Sequence, residues 1–215
     1  MNTHIVYQEY LSALLAGDRR RALQTARGAL AADIDIRDVY MDVFQPAMHE
    51  IGRLWEVNEV TVAQEHLATA ITQSVMAQIY SPMHLKPPIG RKMVSTCIGG
   101  ELHEIGIRMI TDFFEMEGWD VYYLGANMPV DDVVQMVSEQ RADLLAISAT
   151  LNNHVLRARQ LIEAVRSSPA GRWVKIIVGG RPFIQAPDMY MTIGADMTAP
   201  NAREAVTQTM TTLIA

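Results

Sequence analysis

Apolar residues recur at helical spacing through the first 80 residues of the chain. Four of them share one face of a predicted first helix: Tyr10, Leu11, Leu14 and Leu15. Asp18 is suited to cap a second helix, which continues to Ala31. Pro46 should kink or restart a third helix, because proline lacks the N–H that a helix interior needs. Thr61 and Gln64 match a capping box, which places a further helix start at Thr61. These patterns predict an N-terminal all-α bundle of four or five helices over residues 1–80.

The periodicity changes after a segment rich in proline. Residues 81–91, SPMHLKPPIGR, contain three prolines and a glycine and are predicted to be a linker. Beyond them, short apolar runs alternate with amphipathic helical stretches. The runs are KMVSTCIGG, DVYYLGANMP, DLLAISAT and VKIIVGG, with short segments around Met191 and Met197 beyond them. This alternation predicts an α/β domain of the flavodoxin- or Rossmann-like type, with a five-stranded parallel sheet, over residues 92–215.

Composition narrows the class of protein. The 215 residues carry a formal net charge of −6, which argues against a general nucleic-acid binder. A single cysteine, Cys97, excludes an internal disulfide framework and favours a reducing compartment. The N-terminus lacks the pattern of a signal peptide, and no apolar run approaches the roughly 20 residues of a membrane span. We therefore expect a cytoplasmic protein that binds neither membranes nor nucleic acid.

Ligands of parallel sheets bind beyond the carboxyl ends of the strands. The candidate loops follow Cys97, Leu124, Ile147 and Val178. In the first loop, GELHEIG, the Glu101 carboxylate can hold one nitrogen of His103 so that the other nitrogen binds a metal. Gly106 leaves room for a large ligand beside the next helix. The alternative is an acidic first helical turn that is stabilised by the helix dipole.

Two further loops carry small or polar residues. Ser148, Thr150 and Leu151 follow the third strand, and the hydroxyls can bind a buried polar ligand or cap the next helix. Gly179 and Gly180 follow the fourth strand, where backbone can approach a flat ring or a nucleotide, although glycine is also the usual turn residue. The Gly-x-Gly-x-x-Gly motif of dinucleotide-binding domains is absent, which counts against a nicotinamide cofactor.

Taken together, the three loops resemble the cobalamin-binding domain of corrinoid proteins over roughly residues 90–215. The family pattern is Asp-x-His-x-x-Gly, then Ser-x-Leu, then Gly-Gly. The resemblance implies that cobalamin binds base-off with His103 as the lower axial ligand of cobalt. It also implies that the nucleotide tail lies beside Ser148 and the glycines. This chain departs from the pattern at Glu101, where most members have aspartate, and at Thr150, where many have leucine.

The helical bundle resembles the cap of methionine synthase-like modules, which covers the upper face of the cofactor. Trp55, Val62, Glu65 and His66 resemble the adenosyl-binding residues of CarH- and LitR-type light sensors, which also often carry Glu-x-His-x-x-Gly. Val62, Glu65 and His66 share one helical face at spacing i, i+3, i+4. The alternative is that Trp55 and Val62 are core residues and that Glu65 and His66 form a solvated helix start. Glu56 stands where the best-known light sensors have a histidine.

These resemblances lead to one main hypothesis and two alternatives. The main hypothesis is a sensory protein rather than an enzyme, an adenosylcobalamin photoreceptor without a DNA-binding region. Its output would pass through a protein partner or self-association, because loss of the adenosyl group would move the bundle. The alternatives are a methylcobalamin-binding corrinoid carrier of a methyltransferase system and a mutase subunit. The upper pocket discriminates between the first two, because a nucleoside needs more room and more polar contacts than a methyl group.

Overall fold

A computed structural model describes residues 2–80 and 85–214. The chain divides into two compact units, Met1–His84 and Leu85–Ala215, and each is described here by itself. The predicted linker, 81–91, falls partly outside the described residues. Its later part, 85–91, belongs to the second unit, where the backbone N–H of Ile89 donates to the carbonyl of Gly118 at 2.9 Å.

The first unit is helical throughout its described length. Its helices are α1 (Thr3–Leu15), α2 (Arg19–Ala31), α3 (Ile36–Asp38), α4 (Gln45–Glu56) and α5 (Val62–Ile79). Asp18 caps α2 by accepting from the backbone N–H of Arg21, and Thr61 and Gln64 form the predicted capping box at α5. The prediction that this unit is a helical bundle is therefore confirmed. It could be made from the sequence because the residues that cap a helix start lie close together in the chain.

Two details of the bundle differ from the sequence pattern. A π-helical segment, Val39–Phe44, joins α3 to α4, and Pro46 lies in the first turn of α4, so the proline restarts the helix. Leu15 was expected on the buried face of α1 but is 44 % exposed. The buried face is Val6, Tyr10, Ala13 and Leu14, and Leu15 lies about 100° further round the helix than Leu14.

The second unit is an α/β domain with a parallel sheet in the order β2-β1-β3-β4-β5. The strands are β1 (Lys92–Cys97), β2 (Asp120–Tyr123), β3 (Leu144–Ser148), β4 (Lys175–Gly179) and β5 (Met197–Thr198). The helices are α6 (Ile105–Met116), α7 (Val130–Gln140), α8 (Val155–Ser167), α9 (Arg181–Gln185), α10 (Met189–Thr192) and α11 (Ala202–Ile214). This is the flavodoxin-like strand order, so the predicted fold class is confirmed.

Both faces of the sheet are covered, which explains why the strands are nearly continuous apolar runs. One face packs on α7 and α8 through residues such as Val94, Val137 and Ile162. The other packs on α6 and α11 through residues such as Met93 and Ala205. The chain leaves β1 and β3 towards opposite sides of the sheet, so a crevice opens at the carboxyl ends of these two strands.

No helix in the described part of the chain is long and apolar enough to cross a membrane.

Candidate functional site

The loop between β1 and α6 is fixed in place by the neighbouring loop after β2. Gly100 adopts a left-handed φ of 83°, and its backbone N–H donates to the Asn127 side chain at 2.7 Å. The backbone N–H of Asn127 donates in turn to the carbonyl of Glu101 at 3.1 Å. These bonds hold the loop over the crevice before α6 begins at Ile105.

Glu101 and His103 form the centre of this loop. The Glu101 side chain is fully buried, whereas the His103 side chain is 53 % exposed. Glu101 Oε1 accepts from the backbone N–H of His103 at 2.9 Å and lies 2.5 Å from His103 Nδ1. Since an ionised carboxylate only accepts hydrogen bonds, Nδ1 carries the proton, and Nε2 is the nitrogen with a lone pair for a metal.

The second oxygen of Glu101 is held by residues that follow β3. Glu101 Oε2 accepts from the backbone N–H of Thr150 at 2.6 Å and from Nδ1 of the buried His154 at 3.0 Å. Burial opposes ionisation of Glu101, but the hydrogen bonds from His103, Thr150 and His154 outweigh it and hold the pKa of this carboxyl well below its usual range. The loop after β1 and the loop after β3 are thus joined through one carboxylate.

Sequence reasoning missed His154 as a partner of Glu101. The structure places it in a 3₁₀ turn, Asn152–His154, with its ring buried against Glu101. The two residues are 53 positions apart, and no spacing rule joins residues across a crossover of that length. The bond follows from the pairing of β1 with β3, where Cys97 lies opposite Ser148.

Ser148 and Thr150 do not cap the helical segments that follow them. The 3₁₀ turn and α8 both begin without a side-chain cap. Ser148 is buried at the end of β3, between Cys97 of β1 and Gly179 of β4. Leu102, next to His103 in the loop after β1, is 71 % exposed, and Leu151, next to Thr150 in the loop after β3, is 44 % exposed. A flat, largely apolar group would find both a metal ligand and an apolar surface here.

The two glycines after β4 differ in the space around them. Gly180 has a φ of 111°, and a Cβ added there would lie 2.1 Å from the carbonyl oxygen of Ala149. A Cβ at Gly179 would meet only the carbonyl oxygen of Ala199, at 3.9 Å. A Cβ at Gly106 would meet nothing within 4 Å. The backbone conformation therefore requires a glycine at Gly180. At Gly179 and Gly106, by contrast, the absence of a side chain leaves space that is not filled by other atoms.

A narrow apolar cavity lies between the carboxyl half of the sheet and the two helices α6 and α11. Its volume is about 10 Å³, which is room for about one water molecule. The side chains that line it are aliphatic or absent: Ile107, Ile110, Ala146, Ile147, Ile177, Val178, Gly179, Ala199 and Ala205. Small residues on adjacent strands create this space, which opens beside Gly179.

Cys97 lies at the end of β1, beneath the His103 loop. Its thiol is buried, and Sγ lies 3.7 Å from the carbonyl oxygen of His103. Burial, together with the negative charges of Glu101 and Glu104, raises the pKa of Cys97 to about 12. The thiol is therefore neutral at physiological pH.

The four residues predicted to touch the cofactor from the bundle lie in the first unit. Trp55 is in the last turn of α4 and is 45 % exposed, and Val62 begins α5 and is 54 % exposed. Neither is a core residue of the unit. Glu65 Oε2 lies 2.5 Å from Nδ1 of His66, and Glu65 Oε1 accepts from the Thr69 hydroxyl at 3.0 Å. The two side chains form a local pair on the surface of α5.

Known proteins with similar sequences are corrinoid proteins of methanogens. Dimethylamine corrinoid protein 3 of Methanosarcina acetivorans is 26 % identical over 92 % of this chain and 92 % of its own length. Dimethylamine corrinoid protein 1 of Methanosarcina mazei is 30 % identical over 78 % of this chain and 77 % of its own length.

Solved structures agree on the fold. The monomethylamine corrinoid protein of Methanosarcina barkeri covers 99 % of this chain and 100 % of its own, with a TM-score of 0.86 and 21 % identity. A methanol:cobalamin methyltransferase complex, MtaBC, from the same organism matches 98 % of this chain and 80 % of its own with a TM-score of 0.51 and 15 % identity.

The comparisons overturn the prediction of a photoreceptor. The relatives with similar sequences are named as methylamine corrinoid proteins, so the resemblance to CarH- and LitR-type sensors and the preference for adenosylcobalamin are unsupported. The error has a physical source. A tryptophan at the end of one helix and a Glu-His pair at the start of the next are compatible with any helical bundle that has a short connection. The glutamate at position 101 is accounted for by the four donors that surround its carboxylate.

Sequence profiles of a known family cover both units. One profile described as a B12 binding domain matches residues 91–208, and a second with the same description matches residues 6–80. The donor set agrees with such a cofactor, since a half-exposed imidazole with a fixed tautomer, an apolar rim and an apolar cavity lie at one edge of the sheet. The chain belongs to the family of B12-binding domain proteins.

Proposed function

We propose that this chain is the corrinoid protein of a methyltransferase system. Its cobalamin or related cobamide, when bound, supplies a cobalt ion that accepts and donates a methyl group. The observation that carries the proposal is the imidazole of His103, whose Nδ1 is held by the buried Glu101 carboxylate. The names of the similar proteins support it, since these proteins are called dimethylamine and trimethylamine corrinoid proteins.

The residues of the second unit have separate roles in this proposal. His103 would hold the cobalt through Nε2, and Glu101 would orient the imidazole and strengthen its basicity. Leu151 and Gly106 would border the corrin, and Ser148 and Gly179 would lie beside the nucleotide tail. Thr150 contributes its backbone N–H to Glu101. Gly180 holds the turn that keeps the backbone of Ala149 close to the end of β4.

The first unit and the partner complete the proposal. Contact of Trp55, Val62, Glu65 and His66 with the upper face of the cofactor stays a prediction. The partners are methyltransferases, by analogy with the methanol:cobalamin methyltransferase complex MtaBC. The amine or alcohol that provides the methyl group is left unassigned, because the similar proteins are named for different methylamines and the complex for methanol.

Replacement of the proposed cobalt ligand tests this function. His103→Ala should weaken cobalamin binding by at least about tenfold to a hundredfold, since loss of a ligand's hydrogen-bonding partner alone has an effect of that size. It should also abolish the nitrogen splitting that an axial imidazole gives in the electron paramagnetic resonance spectrum of the Co(II) form. His4→Ala, at a histidine of α1 outside the predicted site, serves as the matched control and should keep the splitting. A His103→Ala protein that retains the nitrogen splitting refutes the assignment.

A further inference from the structure

One peptide group in the loop after β1 is held at both ends by side chains from other parts of the second unit. It is the peptide between Gly99 and Gly100. Its carbonyl oxygen accepts from Nη1 of Arg157 at 2.6 Å, and its N–H donates to Oδ1 of Asn127 at 2.7 Å. Arg157 lies in α8, which follows β3, and Asn127 follows β2, and these two strands flank β1 in the sheet. The peptide is therefore fixed from both sides of the strand that it follows.

The two glycines leave this peptide with little steric resistance to rotation. Glycine lacks a Cβ and adopts positive and negative φ with similar ease, so a peptide between two glycines can turn over more readily than others. Gly100 adopts a left-handed φ of 83° in this loop. The residue that follows is Glu101, whose carboxylate holds His103. The orientation of the Gly99–Gly100 peptide therefore decides how Glu101 enters the site.

The missing side chain of Gly100 makes room for the guanidinium of Arg157. A Cβ added at Gly100 would lie 2.0 Å from Nη1 and 3.2 Å from Cζ of this arginine. The guanidinium thus packs directly on the backbone of the loop. In the described part of the chain no carboxylate pairs with Arg157, whereas Arg159 of the same helix pairs with Glu163. The hydrogen bond to the loop is therefore the distinctive contact of Arg157.

Asn127 accepts an unfavourable backbone conformation where it contacts the loop. Its φ is 56°, in the left-handed region that glycine adopts more easily. A glycine at this position would lack the oxygen that accepts from the N–H of Gly100. The backbone N–H of Asn127 also donates to the carbonyl of Glu101 at 3.1 Å. The asparagine therefore makes two bonds to the loop that carries His103.

From these contacts we infer that Arg157 and Asn127 are positioning residues for the proposed cobalt ligand. They fix the peptide that precedes Glu101, so that Glu101 and His103 have their binding orientation before the cofactor arrives. The inference rests on the proposed function, since it assumes that His103 binds cobalt. Both side chains act through the loop and need no contact with the cofactor.

The expected effect follows from the fraction of molecules in which the loop is ordered. When a binding-competent conformation is only partly populated, the apparent affinity falls in proportion to its population. Each clamp bond opposes rotation of a peptide that is otherwise free to turn, and one of the two has a charged donor. Loss of either bond should therefore weaken cofactor binding by about fivefold to tenfold.

Two measurements on the full chain test the inference. The first is amide hydrogen exchange of Gly100 in the ligand-free protein, and the second is calorimetric titration with methylcobalamin. Arg157→Met keeps a long side chain without donors, and Asn127→Gly suits the left-handed backbone but lacks the acceptor. Both should speed exchange at Gly100 and weaken methylcobalamin binding by about fivefold to tenfold. The midpoint of thermal unfolding should stay within about 2 °C of the unmodified protein, because the lost bonds are confined to one loop.

Three further variants separate positioning from a general effect on the fold. Arg159→Met, at an exposed arginine of the same helix, should behave as the unmodified protein. Asn127→Asp keeps the acceptor and tolerates the same backbone, so it should retain slow exchange and tight binding. In a His103→Ala protein, Arg157→Met should cause no further loss of affinity, because no ligand remains to be positioned.

The outcomes distinguish the inference from the proposed function. Unchanged exchange at Gly100 and unchanged affinity in Arg157→Met and Asn127→Gly overturn the inference and leave the proposed function intact. The inference also fails if Arg157→Met weakens binding as much in the His103→Ala protein as in the unmodified chain, since the arginine would then act elsewhere. Failure of the unmodified protein to bind methylcobalamin overturns the proposed function, and the inference falls with it.

Discussion

At the scale of single residues, the carboxylate of Glu101 carries most of the organisation of the site. It is fully buried, yet it receives two backbone N–H groups and two imidazoles. Four donors around one ion are enough to keep it ionised without contact with water. The orientation of His103 and the conformation of the loop after β3 both depend on this charge, so the site should be sensitive to acid.

The depressed pKa of Glu101 predicts how stability depends on pH. The folded-state pKa of this carboxyl lies below its unfolded-state value of about 4.3. Its contribution to stability is therefore complete at pH values above the unfolded-state pKa and is lost as the pH falls towards the folded-state pKa. Glu101→Gln should therefore lower the unfolding free energy of the second unit by about 2 kcal/mol at pH 7. The difference between the two proteins should shrink as the pH falls below about 4.

Urea unfolding curves at several pH values between about 3 and 7 measure this effect. Glu163→Gln is a suitable control, because Glu163 pairs only with the exposed Arg159 on α8. Its difference from the unmodified protein should be small at every pH. A Glu101→Gln deficit that stays constant across the whole range would contradict a lowered pKa.

At the scale of elements, the turn from β4 into α9 contains two adjacent glycines with different structural roles. Gly180 must adopt its positive φ and approach Ala149, so Gly180→Ala should destabilise the second unit by about 3 kcal/mol or more. Gly179→Ala introduces a methyl group that meets only ordinary contacts in the ligand-free chain, but it projects where Gly179 lines the cavity. We expect it to fold normally and to bind cobalamin at least about fivefold more weakly than the unmodified protein.

Thermal unfolding of the ligand-free variants and titration with cobalamin separate these two outcomes. Cobinamide, which lacks the tail, should bind Gly179→Ala as well as it binds the unmodified protein. Equal thermal stability of Gly180→Ala and the unmodified protein would disprove the close approach to Ala149. An equal loss of cobalamin and cobinamide affinity in Gly179→Ala would place the obstruction outside the tail cavity.

Sequence patterns predicted those elements whose signals are local. Asp18 and the Thr61–Gln64 pair fixed two helix starts, because a cap involves residues within three positions of each other. The apolar runs identified the strands, because both faces of a parallel sheet are buried. The bond between Glu101 and His154 and the buried face of α1 depend on how distant segments pack. Periodicity alone could not predict this hydrogen bond or this buried face. Leu15 is an example, because its spacing placed it on the apolar face of α1 although it is exposed.

At the scale of the whole molecule, the division into two units predicts where cofactor binding resides. The hydrogen bonds to the Glu101 carboxylate come from residues of the second unit, and residues of that unit line the cavity. A fragment of residues 85–215 should therefore fold and bind cobalamin with the nitrogen splitting of an axial imidazole. Within the full chain, Trp55→Ala should leave that splitting unchanged, since Trp55 lies in the first unit.

Circular dichroism of the fragment establishes that it folds, and electron paramagnetic resonance of its Co(II) complex reports the lower ligand. The fragment that carries His103→Ala is the matched control and should lack the splitting. A folded fragment without measurable affinity for cobalamin would show that the first unit contributes essential contacts. That result would support the predicted contacts of the first unit with the cofactor, which involve Trp55, Val62, Glu65 and His66.

The buried thiol of Cys97 bears on the proposed function. A chain with that function would handle an activated methyl group and would be exposed to self-alkylation, for which a thiolate is the strongest nucleophile among the side chains. The only cysteine lies directly beneath the loop that carries His103. With a pKa near 12, only about one thiol in a hundred thousand is ionised at neutral pH. Burial, together with the negative charge of the carboxylate that orients the histidine, thus keeps this thiol un-ionised and weakly reactive.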